Sequence, residues 1–183
     1  MQNINEFLTN PVDGTTSQHF FNGVKQFHQA FGHPVAEQPT PMTMERALPR
    51  AIWTAEEVVV EFLHQTANNE EEFLQAMEDF KKGLDKAIEK SLGNEYTKTP
   101  LERLVGQGDA LTDGQYFISG SFVEVGLNPT PLFDIVQGAN MAKLGADGKP
   151  ILRESDGKIM KPEGWQPPEP KLEAEVKRQL ETE

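Results

Sequence analysis

The feature that most constrains the fold of this chain is the recurrence of apolar residues at intervals of three and four positions. The clearest example is a stripe of six apolar side chains: Phe73, Met77, Phe80, Leu84, Ile88 and Leu92. This spacing is typical of an amphipathic α-helix with one apolar face. Asn69 is suited to cap the start of such a helix, and Gly93 is suited to end it. The pattern therefore predicts a helix between these two residues.

Similar patterns predict that most of the remaining chain is helical. Thr16 or Ser17 can cap a first helix that ends before Gly32. Thr99-Pro100 and Thr130-Pro131 each combine a capping residue with a proline at the first helical position. The predicted helices cover about residues 16–31, 44–65, 69–92, 100–125, 131–144 and 171–182.

Two turn signals interrupt this pattern near the C-terminus. Asp147-Gly148 and Asp156-Gly157 flank the short apolar run at Ile151 and Leu152, which predicts a small β-hairpin. The predicted fold is therefore all-α: an antiparallel bundle of four to five helices, an appended β-hairpin and a C-terminal helical tail. Its predicted parts are an irregular lead-in over 1–15, the bundle over 16–145, the hairpin extension over 146–166, and a proline-rich spacer with the tail helix over 167–183.

Charge and composition exclude several classes of function. The chain has 29 acidic and 17 basic residues, whereas proteins that bind nucleic acid polymers depend on clustered Lys and Arg. It has no cysteine, so disulfides, thiolate metal sites and cysteine nucleophiles are excluded. No apolar run is long enough to span a bilayer, and the first ten residues lack the pattern of a secretory signal. We therefore expect a soluble, cytoplasmic protein that binds neither nucleic acid polymers nor membranes.

Two pairs of carboxylates have the spacing of a helix face. Glu57 and Glu61 are four residues apart, as are Asp109 and Asp113, and neither pair has a Lys or Arg three or four residues further along. Like charges at this spacing repel each other by a few tenths of a kcal/mol. A hard cation such as Mg²⁺ or Mn²⁺ would relieve the repulsion if two such helices faced each other. A solvated acidic surface explains the same spacing, and both interpretations stay open on spacing alone.

The surroundings of these acids resemble a known family. Arg50–Phe62 is similar to the acidic first motif of the MazG-like all-α NTP pyrophosphohydrolases, and Asp109–Phe117 is similar to their second motif. Gln26–Pro34, Phe133–Leu144 and Asp156–Trp165 resemble a phage and bacterial branch of that superfamily. The resemblance extends over about residues 20 to 168, with several motifs in the same order.

This resemblance implies Mg²⁺-dependent cleavage of an NTP or dNTP between its α and β phosphates, which yields a monophosphate and pyrophosphate. Mn²⁺ is the alternative ion. The family's pattern implies that the metal ligands are Glu57, Glu61, Asp109 and Asp113. Glu56 and Glu57 are the candidate catalytic residues, and Glu56 either supports the metal ligands or takes a proton from the attacking water.

The resemblance also suggests how the substrate is held. The candidate phosphate and sugar contacts are Asn140, Lys143, Lys161 and, less directly, Lys158. Trp53 lies one turn before Glu57 and is a candidate for stacking on the base. Because helices of this superfamily commonly complete their bundle with a partner chain, we expect a homodimer.

The chain departs from the family's pattern at two points. The first motif usually places its acids three residues apart, but here Val60 occupies that position and Glu61 follows one residue later. The two acidic motifs are also unusually far apart in the sequence. The resemblance implies that the helix within 69–98 is an insertion.

Two other functions fit parts of the sequence. A non-catalytic helical protein could keep this scaffold and use the inserted helix and the tail to bind a partner. Glu61 and His64 form one Glu-x-x-His element of the kind that di-iron bundles use twice, but His19, His28 and His33 have no Glu three residues before them.

Overall fold

The fold was taken from a computed structural model, which describes residues 15–94, 96, 99–155 and 157–181. The predicted lead-in lies outside the described residues except for Thr15, as do Asp156 of the second turn and the side chains of Thr16 and Ser17. Six helices are present in the described part. They are α1 (Thr15–Phe31), α2 (Met44–Ala55, continuing as Glu56–Glu61 and Phe62–Thr66), α3 (Glu70–Leu92), α4 (Pro100–Val125), α5 (Pro129–Met141) and α6 (Glu169–Leu180).

The all-α prediction is confirmed, and most helix ends lie close to the predicted positions. Asn69 caps α3 as expected, because its side chain accepts a hydrogen bond of 2.9 Å from the backbone N–H of Glu72. Thr99 and Glu102 form a reciprocal capping box at the start of α4. The six helices compare with four or five plus a tail in the prediction.

The start and end of α5 differ from the prediction. Its cap is Asn128, whose side chain accepts from the backbone N–H of Thr130, so the helix begins at Pro129 rather than Pro131. Asn is at least as good a cap as Thr, and Pro129 follows it at the first helical position. The helix ends at Met141, three residues before the predicted Leu144.

The predicted β-hairpin is wrong. Among the described residues there are only two isolated antiparallel bridges, Leu144 with Pro150 and Leu152 with Ile159, and no strand. The turns do form, since Gly148 and Gly157 have φ values of +74° and +69°, a conformation that glycine adopts without strain. Pro150 lacks the backbone N–H that a longer ladder would need, which limits the first pairing to a single bridge.

The chain divides into two compact units. One is Gln38–Gly120, which contains α2, α3 and most of α4. The other combines the described residues before Gln38 with those after Gly120, and includes α1, α5 and α6. None of the described helices has an apolar stretch of the length needed to cross a membrane.

In the unit that contains α1, α5 and α6, α1 packs closely against α5. The rings of Phe20 and Phe133 lie 4.5 Å apart, and the Gln137 side chain donates a hydrogen bond of 2.8 Å to the carbonyl of Gly23. His19 Nε2 lies 2.6 Å from a carboxylate oxygen of Asp134. A Cβ atom on Gly23 would lie 3.0 Å from the Phe133 ring, so any larger residue would push this ring aside by a few tenths of an ångström.

In the same unit, Gln179 joins α6 to the start of α5. Its side-chain oxygen accepts from the backbone N–H of Asn128 at 2.7 Å, and its side-chain nitrogen donates to the Asn128 carbonyl at 3.2 Å. Phe31, at the end of α1, is 7% exposed, and it is the one apolar side chain of the described residues that is buried. The packed part of the described chain is therefore small.

We expect Gly23→Ala to lose about 1–3 kcal/mol of packing against Phe133, which outweighs the gain of about 0.5–1 kcal/mol in helix propensity and destabilises the protein. The matched control is Gly138→Ala in α5, where a Cβ meets no atom within 4 Å. That control should stabilise the protein by about 0.5–1 kcal/mol through helix propensity. Urea unfolding measures both changes, and an equal effect of the two substitutions would contradict the close approach of α1 and α5.

Candidate functional site

The acids of the first motif lie on an irregular turn of α2. Glu56–Glu61 is a π-helical stretch between two α-helical ones, and the backbone N–H of Phe62 bonds to the carbonyl of Glu57, five residues earlier. An α-helix makes this bond to the fourth residue back. The stretch contains Glu56, Glu57 and Glu61, so all three acids of the motif belong to the widened turn.

This turn offers a physical account of the unusual spacing of the motif. A π turn holds one more residue than an α turn, and such turns are frequent at functional sites. The widened turn therefore accommodates the residue that separates Glu61 from its expected position. The sequence shows this feature as the one-residue displacement of Glu61. The spacing alone does not distinguish a π turn that keeps Glu61 as a metal ligand from an α-helix in which this ligand is lost.

The acids of α2 are accessible to solvent. Glu56, Glu57 and Glu61 are all exposed, and the one hydrogen bond to their carboxylates among the described contacts comes from Gln65, whose side chain donates to Glu61 at 2.7 Å. Trp53 lies one turn before Glu57 and is 48% exposed. These carboxylates are free to take a cation, and the indole is free to contact a planar group.

The second acid pair lies on α4. Asp109 and Asp113 are exposed, and within the described part of the chain no ion pair involves either of them. Gln107, two residues earlier, fixes this part of α4 to the segment that leads into α2. Its side-chain oxygen accepts from the backbone N–H of Met42, and its nitrogen donates to the Met42 carbonyl, each at 2.8 Å. Sequence reasoning did not identify Gln107, since a lone glutamine gives no signal.

The two acid pairs are not gathered into one cluster within a single chain. No three His, Asp or Glu side chains of the described residues are close enough together to hold a metal ion. The donor chemistry suits a hard divalent cation, because four carboxylates without basic partners provide oxygen ligands and negative charge. The ligand set Glu57, Glu61, Asp109 and Asp113 stays a prediction.

The candidate phosphate contacts form a cationic cluster in the other unit. Lys143 donates a hydrogen bond of 2.8 Å to the side-chain oxygen of Asn140, and Lys161 lies 4.0 Å from the centre of the Trp165 ring. Lys143 lies 5.9 Å from the same ring, and the Trp165 indole N–H donates to the carbonyl of Ala139 at 2.8 Å. Both lysines therefore lie against the Trp165 ring.

This arrangement makes Lys143 an unusual lysine. Burial lowers its pKa, and the positive charge of Lys161 lowers it further. Two neighbouring ammonium groups that repel each other would gain from an anion between them. Lys158 is apart from this pair, on the exposed connection between the bridge residues Leu152 and Ile159.

Comparison with known proteins provides an independent line of evidence. The family model described as phosphoribosyl-ATP pyrophosphohydrolase matches residues 24–140. A crystal structure of a "putative NTP pyrophosphohydrolase" from Exiguobacterium sp. 255-15 is 66% identical in sequence, with a TM-score of 0.86. The similarity covers 88% of this chain and 95% of that one. No curated protein is a match.

We expect Lys161→Met to raise the pKa of Lys143, because removing a neighbouring positive charge favours the protonated amine. NMR titration of the lysine side-chain resonances measures this pKa. The control is Lys149→Met, an exposed lysine of the same unit whose charge does not act on Lys143. An unchanged Lys143 pKa in the first variant would contradict the proximity of the two ammonium groups.

Proposed function

The chain belongs to the phosphoribosyl-ATP pyrophosphohydrolase family, within the MazG-like all-α NTP pyrophosphohydrolases, and we propose that it is a metal-dependent nucleoside triphosphate pyrophosphohydrolase. The reaction would hydrolyse an NTP or dNTP between the α and β phosphates and release a monophosphate and pyrophosphate. The observation that carries this proposal is the pair of exposed acidic motifs on α2 and α4, in a chain 66% identical to a protein described as a "putative NTP pyrophosphohydrolase".

The acids supply the ligands for the ion in this proposal. Glu57, Glu61, Asp109 and Asp113 would hold Mg²⁺ or Mn²⁺, with both members of each pair on one helix. When bound, the ion neutralises phosphate charge and lowers the pKa of a coordinated water. Glu56, beside Glu57 on the widened turn, would accept the proton from the attacking water. Glu57 would also take part in catalysis by orienting the attacking water.

The remaining assignments concern the substrate. Lys143 and Lys161 would bind its phosphate oxygens, and Asn140 would hydrogen-bond a phosphate or the sugar. Their support is the pairing of two ammonium groups, one of them half-buried, without an acidic partner in the cluster. Lys158 is a further candidate contact, and Trp53 would stack on the base.

We also propose that the enzyme is a cytoplasmic homodimer. Support for the dimer comes from α4, whose apolar side chains are strongly exposed: Leu101, Val105, Leu111, Tyr116, Phe117 and Val123 are each at least 64% exposed. Apolar residues in such numbers on one helix are a marker of an interface with another chain. Contact with a second copy would also provide a means to gather the two acid pairs, which one chain leaves apart.

The direct test is a pyrophosphate-release assay with Mg²⁺ and a panel of canonical and modified NTPs and dNTPs, with phosphoribosyl-ATP included. We expect turnover of at least one of these substrates that stops when EDTA removes the metal. Absence of turnover with the whole panel, together with absence of Mg²⁺ binding in calorimetry, would contradict the enzyme and favour the non-catalytic helical protein.

We expect Asp113→Asn to lower kcat by at least about 100-fold, because the neutral amide cannot replace a charged metal ligand. The matched control is Glu124→Gln, an acid outside the motif on the same helix, which should leave kcat within about twofold. Circular dichroism should show equal helicity in both variants, since Asp113 is exposed. Retained activity in Asp113→Asn would mean that the ligand set is wrong.

We expect a deletion of Val60 to keep Mg²⁺ affinity within about tenfold, because the π turn can relax to an α turn and leave Glu57 and Glu61 on one side of the helix. A deletion of Ala110, between Asp109 and Asp113, has no extra residue to absorb, so it turns the rest of α4 by about 100° and should lower Mg²⁺ affinity more than the Val60 deletion does. Calorimetry with Mg²⁺ measures both. Equal loss in the two deletions would contradict the compensating role of the π turn.

A further inference from the structure

Helix α3 carries an apolar stripe that the described residues of its own unit leave exposed. Phe80, Leu84, Ile88 and Leu92 are 38%, 48%, 49% and 70% exposed. The start of the helix is covered: Phe73 packs edge-on against His64 at the end of α2, with ring centres 5.3 Å apart. From Phe80 onward every residue of the helix is exposed, so its last three turns present an apolar face to solvent.

The charges of α3 are separated along its length. Glu70–Asp79 contains five acidic residues and no basic one. Phe80–Leu92 contains four lysines and two acids. The first half of the helix therefore has a net charge of −5, and the second half has a net charge of +2. The acidic residues in the first turn and Lys90 in the last also match the helix dipole, but a dipole does not require charges in the middle of the helix.

This separation of charge is self-complementary. If a second α3 runs antiparallel, its lysine half faces the acidic half of the first helix, and the reverse contact is identical by two-fold symmetry. A parallel pair would place acid opposite acid and lysine opposite lysine. Charge therefore favours one partner, a second copy, and one orientation.

The apolar stripe fits the same symmetry. When the helices cross near residues 82 and 83, Phe80 faces Leu84 of the other copy, and Met77 faces Ala87. Gly83 lies near this crossing, and no atom of its own chain is within 4 Å of its Cβ position. A glycine there lets two helices approach closely.

We propose that α3 is a homodimerisation helix, which pairs antiparallel with α3 of a second copy through the Phe80–Leu92 stripe. The inference deepens the proposed homodimer by assigning it a surface, and it rests on that part of the proposed function only. It does not depend on the catalytic activity. Because this helix belongs to the segment between the two acidic motifs, the contact would be specific to chains that carry it.

The first experiment measures association of the full chain by analytical ultracentrifugation. Leu84→Glu/Ile88→Glu places two charges on the stripe and should raise the Kd for dimerisation at least about 100-fold, which corresponds to about 2.8 kcal/mol. The matched control, Gln75→Glu, places a glutamate on the opposite face of the same helix, keeps all its lysines, and should change the Kd by less than about tenfold. All three positions are exposed, so equal helicity in circular dichroism is expected.

The second experiment tests orientation by disulfide formation, which is free of background because the chain has no cysteine. A mixture of Ala76→Cys and Ala87→Cys chains should form the mixed disulfide under mild oxidation, whereas neither variant alone should form its own. In the antiparallel pair two copies of either position are separated by about ten residues of helix, roughly 15 Å, and a disulfide spans less than 7 Å between Cα atoms.

The outcomes separate this inference from the proposed function. A dimer that survives Leu84→Glu/Ile88→Glu would overturn the α3 surface and leave the homodimer in place. A wild-type chain that stays monomeric would overturn both. Homodisulfides of each variant without the mixed product would overturn the antiparallel orientation. The pyrophosphate-release assay tests the proposed enzyme activity separately from all of these outcomes.

Discussion

The apolar faces of the helices in Gln38–Gly120 are only partly covered by that unit itself, and this constraint governs the rest of the structure. Within the described residues of the unit, no side chain is fully buried. Burial of apolar area is the main force that holds helices together, and short or medium helices are marginal without it. The end of α2 and the start of α3 provide such a contact, but the long α4 and the second half of α3 do not find one. A second copy is the simplest source of the missing cover, which is why both proposals depend on one.

The candidate site is subject to the same constraint. Its four carboxylates repel each other when they are brought together, and they stay apart and exposed on α2 and α4 of one chain. A cation lowers the cost of gathering them, and packing of the apolar faces beside them would supply further free energy. In this view ligand binding, association and folding of the unit are coupled, since each makes the others more favourable.

The sequence predicted much of this arrangement, for identifiable reasons. Helix α3 was predicted to within one residue because its stripe, its Asn69 cap and Gly93 all agree, and such local signals survive in any tertiary context. The hairpin was wrong because Asp-Gly predicts a turn but not a ladder, and Pro150 prevents a longer one. The cationic cluster was named as separate lysines, whereas Trp165, whose ring both lysines lie against, is four residues beyond Lys161 with no periodic signal to connect them.

The sequence by itself determined the all-α class, the family and the residue types available for chemistry, because these depend on local periodicity and on short motifs. Only the tertiary structure decided that Glu56–Glu61 forms a π turn. The choice between an α turn and a π turn depends on which helix face must be directed towards packing partners and ligands. It also decided which apolar stripes are covered: Phe20 and Phe133 meet, whereas Leu84 and Ile88 do not. A stripe in the sequence states that a helix face must be buried, but its partner is fixed by contacts between residues far apart in the chain or on another copy.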